Sequence, residues 1–554
     1  MVVFFLMTLL LLLFIRLFYL QVLSFQKFSS MADEQHNAVI KIEPRRGTIF
    51  DRFMEPLAIN LDVPSVYCDP RGIRDKERTA DLLSGALGVD REMLSERLSK
   101  DKSFIWAKRK IAGASADKIK ELRLPGVYIM TESKRSYPND NMAAHVIGFA
   151  GVDNEGLEGL ESLFNEELVG KPGWKYLLRD ARQEIVLLNE RESMPAQNGY
   201  NLVLTVDSVI QYIAEEELRA MAKKFKVREA SVIVMDPFTG EILAMANYPD
   251  YDLNSFGQAP REVIKNIAVA SVFEPGSVFK IVTASAALNE GKVTLEDTFY
   301  CENGDYRAGG RVLHDFHRYG DLSFREVVSK SSNIGTVKVA ERLGEKKLYE
   351  YIHRFGFGQN TGVELPGEVG GISRPSSKWS RSDITTIPIG QGIAVTPIQL
   401  ACAVSVIANG GYLMRPYIIK EVTTWEGEAF KKYEPAVRRR VISEETCGKM
   451  KEALVSVITE GTGRYAASKL YDVCGKTGTA QMVNPNGGYY SNKYDATFIG
   501  FAPVEFPAVS IVVTARDPRT SHFGGTVAGP TFRNIAERVL QYLGEEKSGA
   551  EDNA

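Results

Sequence analysis

The chain has 554 residues, of which 44% are hydrophobic and 25% are charged, and its formal net charge is -3. This length exceeds one ordinary domain, so we expect two or more folded units with sizeable cores. Because no basic excess is present to neutralise phosphates, the composition disfavours a nucleic-acid-binding protein. The five cysteines are scattered without a Cys-x-x-Cys pair. That spacing disfavours a zinc site or a disulfide framework and leaves open whether any disulfide forms.

The N-terminus is strongly apolar. Residues 2–15 carry no charge, Arg16 interrupts the run, and apolar residues continue to Phe25. This length suits a membrane-spanning helix if the Arg16 side chain reaches the interface. A cleaved signal peptide is the alternative, but no small-residue cleavage site follows the apolar core. We therefore predict an uncleaved transmembrane anchor at residues 1–25, with the rest of the chain on one side of the membrane.

The remaining chain divides at a turn signal near Asn198-Gly199. Residues 26–199 begin with a polar linker and then alternate short strand-like runs with charged helical stretches, which predicts a non-catalytic α+β domain. We expect residues 200–545 to form a second domain and residues 546–554 to form a disordered tail.

Strand-like runs occur near both ends of the second domain, at residues 202–206, 230–235, 241–245, 496–501 and 509–514. Asp207 can cap a helix after the first of these runs, and a closing helix is predicted at roughly residues 531–543. Strands at both ends with a long helical middle predict an antiparallel sheet covered by helices.

One segment of this domain suggests chemistry. Phe273-Glu-Pro-Gly-Ser-Val-Phe-Lys280 places Ser277 at a predicted helix start, with Lys280 one turn later on the same face. A serine hydroxyl becomes a nucleophile when a base takes its proton, and a buried neutral lysine can be that base. The simpler interpretation is a helix-capping serine and a solvated lysine. The same spacing occurs three more times in the chain, so the pattern alone is weak evidence.

Two later segments strengthen the first. Ser331-Ser-Asn333 lies between two helix-like runs, for which a loop with a helix cap is the simpler interpretation. Lys476-Thr-Gly478 is followed by Thr479 on a small-residue segment that is typical of a strand edge. A phosphate-binding loop is the rival there, but Leu470 stands where its first glycine is required.

Together the three motifs resemble, in the same order, the Ser-x-x-Lys, Ser-x-Asn and Lys-Thr-Gly set of penicillin-binding proteins and serine β-lactamases. The resemblance to class B penicillin-binding proteins covers nearly the whole chain. Further segments similar to that family are Arg46–Arg52, Tyr137-Pro138, His145–Gly148, Gly156–Glu161, Gly390–Gly392, Thr396-Pro397 and Asn409–Gly411. Phe53-Met54 replace the Asn-Gly that usually follows the first of these, which puts the local turn in doubt. The implied fold is a transmembrane helix, an α+β pedestal at residues 26–199 and a transpeptidase domain.

The resemblance implies an acyl transfer that cross-links peptidoglycan stem peptides, with no cofactor and no metal. Lys280 is expected to take the proton of Ser277, which then attacks the D-Ala-D-Ala bond. Ser331 is expected to relay a proton, and Asn333 to hold the substrate amide. β-Lactams, which mimic the donor peptide, are expected to acylate Ser277.

The third motif is expected to bind the donor. By the same resemblance, Lys476 supplies positive charge that lowers the pKa of Lys280 and attracts the terminal carboxylate. Thr477 and Thr479, on either side of Gly478, are expected to hydrogen-bond that carboxylate. The backbone N–H groups of Ser277 and Thr479 are expected to form the oxyanion hole.

The implied location is the bacterial cytoplasmic membrane, with a single span and an extracytoplasmic catalytic domain. A multi-span glycosyltransferase and division-complex proteins are the implied partners. The surroundings of the first two motifs favour the septal branch over the elongation branch, which stays open. A β-lactamase or D,D-carboxypeptidase, in which water is the acceptor, and a β-lactam-binding sensor are further alternatives. The anchor and the long pedestal disfavour a secreted hydrolase.

Two other candidates stand near the motifs. His314-Asp-Phe-His317 could be a metal pair, but no third ligand is evident and the chain has only six histidines, so a polar loop is favoured. Glu274 precedes the nucleophile segment's turn, and we assign it a structural position and no chemistry.

Overall fold

In the computed structural model of the protein, residues 1–28, 37–179 and 185–547 are described. The chain forms two compact units. One comprises residues 1–47 and 166–200, and the other comprises residues 48–165 and 201–554. The domain boundaries predicted from the sequence stay predictions, and most of the predicted tail lies outside the described residues.

The first unit contains the N-terminal helix. An α-helix at Val2–Phe18 continues as a π-helical turn at Tyr19–Leu23. An 18-residue window of this segment, Val2–Leu23, has a mean hydropathy of 2.6, and among the described residues the segment is the one helix that is long and apolar enough to cross a membrane. The unit also contains a three-stranded antiparallel sheet of Asn37–Ile42, Gly173–Arg179 and Ile185–Met194, with the second strand in the middle.

Residues 48–165 contribute an α+β layer to the second unit. The long strand Pro56–Cys68 pairs antiparallel with Ile105–Lys108 and with Val127–Ser136. The helices of this region are Lys76–Leu87, Arg91–Ser99, Gly113–Leu122, Ala144–Ile147 and Gly159–Leu163. Alternate residues of the strands and the apolar faces of the first three helices meet in a separate hydrophobic core. A mixed layer of this kind agrees with the sequence prediction.

The segment that resembles the family's arginine–glycine signature ties this layer to the rest of the unit. Its strand Ile49–Phe50 lies between Pro56–Cys68 and Asn201–Leu204, parallel to the latter. Asp51 accepts hydrogen bonds from the N–H and hydroxyl of Ser208 at 3.3 and 2.7 Å. Arg52 forms a half-buried ion pair with Glu241 at 3.1 Å.

A turn forms after this signature although Phe53-Met54 replace the usual Asn-Gly. Asp51 Oδ1 accepts from the N–H groups of Phe53 and Glu55 at 2.8 and 2.9 Å. Met54 consequently takes a positive φ of 69°, a conformation that asparagine and glycine adopt at lower cost.

The centre of the second unit is a five-stranded antiparallel sheet. Its strands, in spatial order, are Ile242–Tyr248, Glu229–Met235, Val509–Arg516, Tyr489–Ala502 and Cys474–Val483. The helices Ser208–Phe225 and Gly529–Leu543 pack on one face around a core of alternate strand residues, and Asp207 caps the first of them. The predicted antiparallel sheet covered by helices is therefore confirmed.

A helical region is inserted between the second and third strands along the chain. Its longer helices are Lys280–Asn289, Asn333–Leu343, Glu345–Arg354, Pro397–Ala408 and Glu444–Thr459. Shorter helices are Arg261–Ile264, Ile267–Ala270, Phe324–Ser329 and Asp383–Thr386, with Gly524–Val527 after the last strand.

Small antiparallel strand pairs complete this region. They are Thr298–Tyr300 with Asp321–Ser323, Asp305–Ala308 with Arg311–His314, Tyr412–Met414 with Val437–Arg440, and Ile419–Thr423 with Ala429–Lys432. All five cysteines of the chain are buried and free, which answers the open question about disulfides.

Candidate active site

The predicted helix start at Ser277 is a 3₁₀ turn, Gly276–Phe279, that runs directly into the helix Lys280–Asn289. Ser277 is half-buried and caps neither element, so the capping interpretation of this serine is wrong. Among the described residues its hydroxyl makes no hydrogen bond. The arrangement leaves a serine hydroxyl free at the surface of a rigid turn.

Lys280 is almost completely buried, with 2% of its surface exposed. Its Nζ donates to the carbonyl oxygen of Ser331 at 2.6 Å, to the hydroxyl of Ser331 at 3.2 Å and to Oδ1 of Asn333 at 2.8 Å. Burial lowers the pKa of Lys280 to about 7, although the charge of Asp315 opposes the shift. The first two motifs are thus in direct contact, and the lysine that joins them loses its proton near neutral pH.

Ser331 occupies the turn between the helices Phe324–Ser329 and Asn333–Leu343, as the sequence predicted. Its φ of +58° is unusual for a residue other than glycine and costs about 1 kcal/mol. Ser332 caps the second helix by accepting from the N–H of Gly335 at 2.9 Å. The simple interpretation of this motif as a capped loop is correct for Ser332, while its neighbours Ser331 and Asn333 face Lys280.

Asp315 is a further residue of the site, and the sequence did not indicate it. Its carboxylate accepts from the hydroxyl of Ser332 at 2.6 Å and from the N–H groups of Asn333 and Ile334. The residue lies inside the segment that was considered as a metal pair, and no local pattern signals contact with a helix 18 residues later.

The neighbouring histidines have other contacts. His314 uses its Nδ1 for an exposed contact with Asp305 at 2.6 Å, and its backbone oxygen accepts from Nδ2 of Asn333 at 2.9 Å. Within the parts of the chain that the structure describes, no three histidine, cysteine, aspartate or glutamate side chains are grouped as a metal site requires.

The third motif lies on the strand Cys474–Val483, at the edge of the central sheet. Lys476 is fully buried, and its Nζ donates to the backbone oxygen of Thr477 at 3.3 Å. Burial, together with the charge of Lys280, lowers the pKa of Lys476 well below its usual range. Burial is the main cause of the lowered pKa of Lys280. Desolvation, and not the expected charge of Lys476, therefore lowers this pKa. A strand at this position also excludes the phosphate-binding loop.

The two threonines of this strand have partners that the sequence did not indicate. The hydroxyl of Thr477 shares a hydrogen bond with that of Thr462 at 2.7 Å. The hydroxyl of Thr479 accepts from the N–H of Gly524 at 3.0 Å, which leaves its own proton available for another acceptor.

Glycines allow the motif strand to approach the nucleophile turn. A Cβ on Gly478 would lie 2.9 Å from the carbonyl oxygen of Pro275 and 2.9 Å from a methyl group of Val278. A Cβ on Gly390 would lie 2.1 Å from the carbonyl oxygen of Gly276, whose N–H donates to Gly390 at 3.0 Å. Backbone contact on two sides therefore fixes the turn that carries Ser277.

Glu274 connects the same turn to two other segments. It accepts from the N–H of Gly392 at 2.8 Å and from the hydroxyl of Tyr489 at 3.0 Å. Burial raises the pKa of Glu274. These contacts agree with the structural position expected for this residue.

Comparisons with known proteins match both parts of the chain. Residues 41–204 match the penicillin-binding protein dimerisation domain, and residues 230–537 match the penicillin-binding protein transpeptidase domain. Stage V sporulation protein D of Bacillus subtilis (strain 168) is 39% identical over 537 residues, covering 96% of this chain and 83% of that protein.

A second relative and a solved structure agree with this match. Peptidoglycan D,D-transpeptidase FtsI of Escherichia coli (strain K12) is 33% identical over 540 residues, covering 96% of this chain and 89% of the relative. Penicillin binding protein 3 from Mycobacterium tuberculosis, complexed with aztreonam, superimposes with a TM-score of 0.73 at 29% identity and covers 92% and 98% of the two chains. The chain therefore belongs to the class B penicillin-binding proteins.

We predict that Gly478→Ala slows acylation by a fluorescent penicillin about 10- to 100-fold, because the added methyl group separates the motif strand from the nucleophile turn. Gly448→Ala is the matched control, since it adds the same group to an exposed helix with no atom within 4 Å. Rates would be compared by gel fluorescence over time. Equal rates for the two variants would contradict the close-approach argument.

Proposed function

We propose that this protein is a D,D-transpeptidase that cross-links peptidoglycan stem peptides through an acyl-enzyme on Ser277. One observation carries the proposal. A buried lysine with a pKa of about 7 lies one helical turn after a serine whose hydroxyl has no hydrogen-bond partner among the described residues. Nucleophilic catalysis by serine requires a base that can take the hydroxyl proton, and a neutral amine one turn after the serine can supply it.

In the first half-reaction, Ser277 Oγ attacks the carbonyl carbon between the two D-alanines of a donor peptide. Its proton passes to Nζ of Lys280, because burial lowers the pKa of that amine to about 7 and makes the neutral form accessible near neutral pH. The tetrahedral intermediate collapses by breaking the C–N bond. Ser331, whose hydroxyl lies 3.2 Å from Nζ of Lys280, gives its proton to the departing amine of D-alanine and takes a proton from Nζ, so that Lys280 is neutral again.

The oxyanion of this intermediate is stabilised by the N–H groups of Ser277 and Thr479. The carbonyl oxygen of Thr479 faces Gly276, because a Cβ added to Gly276 would lie 3.1 Å from that oxygen. In an antiparallel strand the N–H and C=O of one residue point to the same side, so the N–H of Thr479 also faces the turn. Fixed backbone donors of this kind contribute about 3 kcal/mol each to stabilising the transition state.

Lys476, Thr477 and Thr479 recognise the terminal carboxylate of the donor. Lys476 supplies a buried positive field when protonated, and the Thr479 hydroxyl retains a proton to donate. Gly478 has no side chain and lets the strand approach the donor. Asn333, whose Oδ1 accepts from Lys280 at 2.8 Å and whose Nδ2 donates one hydrogen to the backbone oxygen of His314 at 2.9 Å, orients the substrate amide with the second Nδ2 hydrogen.

In the second half-reaction, the amine of another stem peptide attacks the ester carbonyl and gives a proton to the neutral Lys280. The ester C–O bond then breaks, and Ser277 Oγ takes that proton back. Water in the place of the amine would give a D,D-carboxypeptidase, which is the second candidate for this site. The relatives named for peptidoglycan transpeptidation and sporulation support the cross-linking reaction, and the septal branch is proposed on the same ground.

The apolar helix Val2–Leu23 is proposed to anchor the chain once in the cytoplasmic membrane, with the catalytic unit outside the cytoplasm. A membrane-embedded, multi-span glycosyltransferase and division-complex proteins are the proposed partners, because nascent glycan leaves such an enzyme at the membrane surface. β-Lactams are proposed to enter as mimics of the donor.

We expect mass spectrometry of the full-length protein after treatment with benzylpenicillin to find one adduct, on the peptide that contains Ser277. Ser277→Ala should remove the adduct and abolish growth complementation, because no other hydroxyl can take its place. Ser99→Ala serves as a control, since that exposed serine has the same spacing to Lys102 and ends the helix Arg91–Ser99, outside the three motifs. An adduct on another residue, or complementation by Ser277→Ala, would rule out the assignment.

Deletion of residues 1–26 should leave penicillin labelling intact and abolish complementation, because the catalytic residues belong to the other compact unit. Labelling of membrane and soluble fractions measures the first effect, and growth of a depleted strain measures the second. Normal growth with the deleted chain would contradict the proposed anchoring.

A further inference from the structure

Asp315 collects three hydrogen bonds at the turn of the second motif. The hydroxyl of Ser332 donates to Oδ2 at 2.6 Å, and the N–H groups of Asn333 and Ile334 donate to Oδ1. The two backbone donors are the first N–H groups of the helix Asn333–Leu343, which have no partner inside the helix. A carboxylate here satisfies them and meets the positive end of the helix dipole.

These hydrogen bonds stabilise a turn whose backbone conformation is strained. Ser331 has a φ of +58°, and a residue with a Cβ persists in that region only when its surroundings enforce it. Its N–H donates to Val328 at 3.3 Å, which is a weak constraint. The residues that follow it are the ones that Asp315 fixes. Asp315 therefore determines where the carbonyl and hydroxyl of Ser331 point.

The acceptors of Lys280 lie on this same turn. Nζ of Lys280 has three partners, which are the carbonyl oxygen and hydroxyl of Ser331 and the side-chain oxygen of Asn333. Asp315 thus holds in place Ser331 and Asn333, the two residues whose oxygens accept hydrogen bonds from Lys280. It acts on Lys280 without touching it, through hydrogen bonds to the turn and through its negative charge.

We propose that Asp315 is a positioning residue of the acylation reaction, which fixes the turn of Ser331 and Asn333 around the amine of Lys280 and adjusts how readily that amine gives up its proton. The inference rests on the proposed function, because it presumes that Lys280 is the base. It adds a residue outside the three motifs to the groups on which the reaction depends.

The direction of the electrostatic effect follows from the charges that face Lys280. Lys476 faces it from the strand Cys474–Val483, and burial, together with the charge of Lys280, lowers the pKa of Lys476. Asp315 raises the pKa of Lys280, in opposition to burial. Near Asp315 the thiol of Cys301 and the phenol of Tyr319 both have pKa values raised by burial, so they are neutral. Removal of the Asp315 charge should therefore ease loss of the Lys280 proton.

The test compares Asp315→Asn with wild type in the full-length protein, using the rate of acylation by benzylpenicillin from pH 5 to pH 9. The asparagine can keep Oδ1 as an acceptor for the two N–H groups while losing the charge. We expect the midpoint of the acid limb of the pH–rate profile to shift to a pH about one unit lower. We also expect the plateau rate to fall at least about 10-fold, because the turn is held less firmly. Asp305→Asn is the matched control, because it removes the same charge from an exposed residue of the neighbouring hairpin.

The outcomes separate the inference from the function it depends on. If wild type forms no adduct on Ser277, the proposed function is wrong. If wild type is acylated and the limb of Asp315→Asn coincides with that of Asp305→Asn, the positioning role is overturned. If Asp315→Asn does not fold, Asp315→Ser, which keeps a small acceptor, replaces it in the same comparison. Failure of both variants to fold would show a purely structural role and would also overturn the inference.

Discussion

The candidate site depends on the burial of a lysine amine. Lys280 is 2% exposed and, among the described residues, has oxygen acceptors but no ion pair. Desolvation disfavours the charged form, and its pKa falls to about 7. A lysine with the usual pKa of about 10.4 would be neutral in about 0.04% of molecules at pH 7. The other features of the site exclude water from this amine or place a reacting group beside it.

The backbone of the turn around Ser277 contributes to the burial of Lys280. Gly276, Gly390 and Gly478 lie where a side chain would meet neighbouring backbone at about 2.1 to 3.1 Å. Glu274 adds hydrogen bonds to the Gly392 segment and to the hairpin at Tyr489. Three distant segments of the chain can therefore pack closely enough to exclude water from Lys280 and Lys476. Exclusion of water is what makes these amines different from surface lysines.

The sequence predicted the parts of this structure that are encoded locally. The strand pattern at 230–235 and 509–514, the cap at Asp207 and the closing helix all appeared as expected, because period and capping are properties of neighbouring residues. The three motifs were recognised through their order along the chain. Contact between Lys280 and the second motif shows that the first two motifs meet, and Gly478 of the third lies against the nucleophile turn, while the catalytic roles of all three remain the proposal made above.

What the sequence could not predict depends on residues far apart in the chain. Asp315 reaches a helix start 18 residues away, and Thr462 meets Thr477 across a loop. No spacing rule connects such pairs, since their proximity is set by tertiary packing. The same holds for the cause of the lowered pKa. The motif left burial and a neighbouring cation open as causes and the family resemblance favoured the cation, whereas the dominant effect on Lys280 is burial, which only a packed structure displays.

The most direct measurement is the pH dependence of the acylation of wild-type protein by benzylpenicillin, followed by stopped-flow fluorescence from pH 5 to pH 11. A buried, neutral Lys280 predicts a rate that rises with pH, with a midpoint near 7, and is close to its plateau by pH 8. A midpoint near 10, the value of an ordinary solvated lysine, would contradict the account, as would a rate that does not change across this range.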